Sequence, residues 1–143
     1  MLPRVVRGAD MVKLQWLASY AVGHEKIDQD HKALIAIMTD VQASVDDGDR
    51  PRCSMLLQDL IVLAQDHFRD EEEILQSLDY PKLAAHKSYH DELLLKVEAM
   101  RAICEEAPTE GRLEKCSTTM AEFLIDDIIV GDLQFKSFLQ EKR

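Results

Sequence analysis

The chain has 143 residues, enough for one domain with a buried core that needs no cross-links. Its 46% apolar content excludes a disordered chain, and its net charge of −10 argues against nucleic acid or an anionic membrane surface as partner. Three widely spaced cysteines, Cys53, Cys104 and Cys116, with no CxxC, exclude a disulfide framework and predict reduced thiols in a cytoplasm.

Residues 1–27 are expected to form an extended arm anchored by Trp16. The opening "MLPRVVRGADMVKLQW" has basic residues but lacks the apolar stretch of a signal peptide. No run approaches the roughly 18 apolar residues that span a membrane. A first helix is predicted from about 28 to 46, with Asp28 as N-cap. The turn "DDGDRPR" (46–52) leads to a second helix over about 51–78, and "LDYP" (78–81) to a third over about 82–104. After "EEAPTEG" (105–111) a fourth helix is expected to run through 110–140. Short loops between long amphipathic helices predict an all-α, antiparallel up-down-up-down four-helix bundle over 28–140, with the arm a single domain over 1–143.

The inward stripes carry the chemistry. At 3–4 residue spacing they read Ile27, His31, Leu34, Met38, Val41, Val45 in the first helix and Leu60, Ala64, His67, Glu71, Ile74, Leu78 in the second. The third reads Leu83, His86, His90, Leu93, Val97, Met100, and the fourth Leu113, Cys116, Met120, Phe123, Asp127. Within "HFRDEEEIL" (67–75), Glu71 therefore faces the core, while Glu72 and Glu73 fall off the stripe and read as solvated neighbours. Asp127 likewise falls inward and Asp126 does not. A carboxylate in a bundle core costs several kcal/mol unless it is paired or metal-bound.

The levels agree. His31 starts the first helix, His86 and His90 start the third, and His67, Glu71, Asp127 and Asp132 lie toward the ends of the second and fourth. In an antiparallel bundle these are the same end. One HxxxH or HxxxE pair is usually an accident of helix composition; it is the convergence of all these groups that points to metal. Imidazole and carboxylate without thiolate suit Fe, Mn or Zn. So many donors exceed what one tetrahedral ion takes and fit a dinuclear site.

The segments "VGHEKIDQDH" (22–31) after Trp16, "HFRDEE" (67–72), "YPKLAAHKSYH" (80–90) and "FLIDDIIVGD" (123–132) resemble the hemerythrin family, in particular its bacterial members, over nearly the whole chain from Trp16 onward. The resemblance implies a four-helix bundle with a non-haem di-iron centre, two iron ions joined by an oxo or hydroxo bridge, that binds O2 reversibly. By it, His31 and His67 hold the iron with the open position, His86 and His90 hold the other, and Glu71 and Asp132 bridge. Leu34, Phe68, Phe123 and Ile128 match O2-pocket positions; as members of apolar stripes they are equally ordinary core residues. The family pattern has tryptophan at 123 and a ligating histidine at 127, where this chain has Phe123 and Asp127. Asp127 is expected either to ligate the second iron or to lie just behind its ligands, and to make the centre easier to oxidise.

Residues 127 and 132 are five apart, about 140° around an ideal helix, so both reach one site only if the helix distorts or ends there; Gly131 makes distortion cheap. His24 is expected at the surface, outside the ligand set. The leading function is O2 carriage, storage or sensing, with no enzyme activity. The alternatives are a di-iron enzyme reducing peroxide, O2 or nitric oxide, a sensory module acting on a signalling partner, and a fold that has lost its metal.

Overall fold

The computed structural model describes residues 14–106 and 110–142. The chain enters through a short 3₁₀ turn, Ala18–Tyr20, and Leu14, Trp16 and Tyr20 lay partly buried faces on the core. Helix α1 spans Glu25–Asp46, α2 Arg50–Ser77, α3 Leu83–Glu105 and α4 Glu110–Phe123. Each of the four packs against its two neighbours, α1 on α2, α2 on α3, α3 on α4 and α4 on α1, which closes the expected bundle.

Local chemistry sets the helix ends. α1 begins three residues before Asp28, with His24 at its N-cap. Asp28 lies inside the first turn instead, and its carboxylate accepts from the backbone N–H of Val22 at 2.8 Å and Gly23 at 3.2 Å. It ties the arm to α1 where the sequence suggested a cap. Gly48, at φ 68°, turns the chain back through a left-handed conformation, and Asp49 then caps α2 by accepting from Arg52 N–H at 3.1 Å, with a proline in that helix's first turn.

The fourth segment departs from the single helix expected over 110–140. α4 stops at Phe123, Leu124–Ile129 is a π-helical turn, Gly131–Phe135 a 3₁₀ turn, and α5 spans Lys136–Glu141. Widening to i→i+5 is visible in the Val130 N–H to Ile125 carbonyl bond at 2.8 Å. The Leu113 and Cys116 positions of the expected stripe, and Met100 of the third, have side chains outside the described residues.

Two apolar clusters fill the interior. The larger includes Leu34, Met38, Phe68, Leu93, Met120, Phe123 and Ile128; a smaller one of Val22, Ile27, Leu75, Phe135 and Leu139 seals one end. His90 stacks on Phe68 of the larger cluster, and His86 meets Phe135 of the smaller edge-on, centroids 5.2 Å apart. The polar groups therefore lie between two apolar plugs. Among the described residues, no helix is long and apolar enough to cross a membrane.

Candidate metal centre

Six predicted residues meet in one buried cluster, five from the inward stripes and Asp132 from its level in the bundle. His31, His67, Glu71, His86, His90 and Asp132 are each at most 4% exposed. α1 supplies His31, the second half of α2 supplies His67 and Glu71, and α3 supplies His86 and His90 one turn apart. Asp132 arrives on the 3₁₀ turn after the π-helical segment, so the distortion anticipated between 127 and 132 is what swings its carboxylate inward. At Gly131 the reason for glycine is proximity: a Cβ there would stand 2.8 Å from the Tyr89 hydroxyl oxygen and 3.2 Å from Cε2 of that ring. Asp127 sits on the π-helical turn, but its side chain lies outside the described residues. His24, half-buried at the α1 N-cap, belongs to neither donor set.

The donors divide into two sets that share their carboxylates. One comprises His31, His67, Glu71 and Asp132, the other Glu71, His86, His90 and Asp132, with one donor atom per residue and all within 4.8 Å of one another in each. In the first set His31 Nε2 lies 3.1 Å from His67 Nε2 and 2.8 Å from Asp132 Oδ2. In the second, His86 Nε2 lies 2.8 Å from Glu71 Oε1 and 3.2 Å from Asp132 Oδ1, and His90 Nε2 lies 3.0 Å from Glu71 Oε1.

Protons satisfy this cluster only in part. Glu71 Oε2 and His90 Nε2 are buried with no hydrogen-bond partner, although each has an opposite donor 3.0 Å away. Two facing Nε2 atoms are served jointly by one cation, whereas a proton between them serves only one as donor. The protonation pattern says the same. Burial disfavours charge on His67, but bonds to Asp132, Asp30 and Glu71 outweigh it and hold its pKa well above the usual value. Burial likewise opposes charge on His86, yet Asp132 and Glu71 push it up to about 9. Burial raises Asp132, but hydrogen bonding with Glu71 and with His31, His67 and His86 holds it well below the usual carboxylate range. These shifts mark a site where cationic charge is strongly favoured. Four imidazoles and two shared carboxylates, without thiolate, fit a pair of borderline-hard divalent ions.

Two further residues escaped the stripe reading. Asp30 Oδ2 accepts from His67 Nδ1–H at 3.0 Å, and Glu72 Oε2 from His90 Nδ1–H at 2.7 Å. Glu72 is thus bonded to a donor histidine rather than merely solvated, while Glu73 is exposed as expected. The available signal was adjacency, since Asp30 precedes His31 and Glu72 follows Glu71.

A closed four-helix bundle that buries two histidine–carboxylate donor sets sharing their carboxylates defines a dinuclear metalloprotein of the bundle class. The chain belongs to the hemerythrin family, whose members are non-haem di-iron proteins: residues 22–129 match the family described as Hemerythrin HHE cation binding domain. It is 33% identical to a myohemerythrin of Theromyzon tessulatum over 87% of this chain and 92% of that one. A myohemerythrin of Sipunculus nudus is 30% identical over 87% and 92%. A bacteriohemerythrin of Clostridium acetobutylicum is 33% identical over 59% of this chain and 68% of its own length.

Proposed function

We propose that the protein binds O2 reversibly at a di-iron centre, for carriage, storage or sensing. The observation that carries this reading is the pair of donor sets sharing Glu71 and Asp132 between two apolar plugs. His31 and His67 would hold the iron open to the ligand, His86 and His90 would hold the other, and Glu71 and Asp132 would be shared by both. The iron pair, when bound, supplies the electrons and the open position that O2 binding requires. Leu34, Phe68, Phe123 and Ile128, all buried in the larger apolar cluster, exclude water from the ligand's side. By the resemblance, Asp127 would bring an anionic oxygen to the second iron in place of a neutral imidazole, which would favour the oxidised state.

Binding is favoured over turnover because, among the described residues, each buried titratable side chain at the centre is itself a donor. The acidic chain works in a cytoplasm without nucleic acid or membrane as partner, and a sensory role would act through a partner protein. Myohemerythrins and bacteriohemerythrins among its relatives support the oxygen-binding reading.

The test is anaerobic loading with Fe(II), a metal count, and cycles of O2 admission and removal with the visible spectrum recorded. Two irons and a spectral change that reverses on deoxygenation support the proposal. Two irons that oxidise at once and never return point to the redox-enzyme alternative, and fewer than two irons refute the site.

A further inference from the structure

Each donor set contains one histidine whose far nitrogen is held by a carboxylate outside the set. In one it is His67 with Asp30, in the other His90 with Glu72. His31 contrasts with them, because its Nδ1 is buried with no partner. A neutral imidazole carries one N–H. Where a carboxylate accepts from Nδ1, the lone pair is fixed on Nε2, the nitrogen aimed at the other donors.

The two arms differ in the charge behind them. The second oxygen of Asp30 accepts from the Lys26 ammonium at 2.8 Å, and that ammonium is 3.5 Å from Asp70. Lys26 is 51% exposed, so the line Lys26, Asp30, His67 runs from solvent to the buried donors. Among the described residues Glu72 has His90 as its ion-pair partner and no lysine or arginine. Lysine withdraws charge from Asp30, whereas Glu72 delivers its charge to its imidazole undiminished.

We propose that Asp30 and Glu72 are positioning residues that fix His67 and His90 as Nε2 donors, and that surface-exposed Lys26 weakens the Asp30 arm. This rests on the two-ion reading above. Each pair also ties two helices, Asp30 to His67 across α1 and α2 and Glu72 to His90 across α2 and α3, so the test must separate tying from tuning. The substitutions Asp30→Asn and Glu72→Gln keep a carbonyl oxygen that accepts from Nδ1–H but remove the charge.

The experiment compares D30N, E72Q, K26M and the exposed neighbour control E73Q with the unaltered protein. Zn(II) affinity is measured by chelator competition, His Nδ1 protons are observed by NMR in the zinc-loaded protein, and reduction potentials are measured after iron loading. D30N and E72Q should each weaken the affinity for one zinc by about 10- to 100-fold and raise the potential, with E73Q unchanged. K26M should move the potential downward, opposite to D30N, a sign that a merely structural tie does not produce. Protected Nδ1 protons should belong to His67 and His90. If D30N does not fold, E72Q and K26M decide alone. Fewer than two zinc ions in the unaltered protein would refute the site reading itself. Normal uptake with D30N and E72Q matching E73Q, or K26M and D30N shifting the potential alike, would overturn this proposal alone.

Discussion

The ring of Phe68 lies flat against the ring of His90, with centroids 4.0 Å apart and planes 8° from parallel. Phe68 follows donor His67 on α2, and its ring is tilted against that imidazole too, at 5.7 Å. One apolar side chain thus fixes the attitude of a donor in each set. Side chains held by packing, and not only by bonds, are what keep a metal site in shape when the ion is absent.

Phe68→Leu should therefore do more than shrink the core. Losing the stack and some buried area should lower stability of the metal-free protein by about 1–2 kcal/mol in urea denaturation. It should also weaken retention of the ion held with His90 more than the other. Two ions retained as tightly as in the unaltered protein would show that the stack has no part in holding the site.

Gly131→Ala tests why the chain is bare at the entry to the 3₁₀ turn. The added methyl meets the Tyr89 hydroxyl oxygen at 2.8 Å and the ring at 3.2 Å, and side chain and backbone cannot both stay where they are. A destabilisation of about 1–3 kcal/mol is expected, with loss of iron as Asp132 shifts. Removing the Tyr89 hydroxyl in the double variant takes away the closer contact and should restore part of both. A double-mutant cycle with no coupling between 89 and 131 would refute the steric account.

Much of this site can be read from the sequence because helical periodicity encodes direction. His31, Glu71 and His90 could be placed inward from their neighbours alone, and the antiparallel order then put them at one level. Periodicity does not encode reach. Asp30 and Glu72 sit one residue, about 100°, off their stripes, yet their carboxylates reach across to the next helix and bond His67 and His90. Nor does it resolve hydrogen-bond register. The apolar stretch of "FLIDDIIVGD" fits a continuous helix as well as the π and 3₁₀ turns observed, and only the five-residue step from 127 to 132 hinted at the break. Asp28 was misplaced because an acid near a helix start can cap it or, one turn in, reach back to the preceding strand of chain.

The metal-free and metal-loaded proteins should respond to pH in opposite directions. His86 titrates near 9 in the folded chain against 6.5 ordinarily, so its contribution is fully present below about pH 6.5 and fades as pH rises through 9. Asp132 is depressed below its ordinary 3.8, so its contribution is present above that pH and fades on further acidification. Urea midpoints of the metal-free protein should accordingly be highest in mildly acidic solution and fall toward pH 9. Ion binding displaces the histidine protons, so Zn(II) affinity should rise over the same range. Parallel slopes for stability and affinity would contradict the exchange of protons for metal.

Asp127→His bears on how readily the centre loses electrons. Asp127 lies on the π-helical turn that ends three residues before Asp132, and the resemblance to the family would put a ligating histidine in its place. An anionic oxygen near iron stabilises the ferric state more than a neutral imidazole does, because the added attraction grows with the charge on the metal. A histidine in this place should therefore raise the reduction potential of the iron-loaded protein and slow its oxidation in air several-fold, with two irons still bound. Potentiometry and the decay of the oxygenated spectrum measure both. Potential and oxidation rate that stay at their unaltered values would show that Asp127 does not act on the centre.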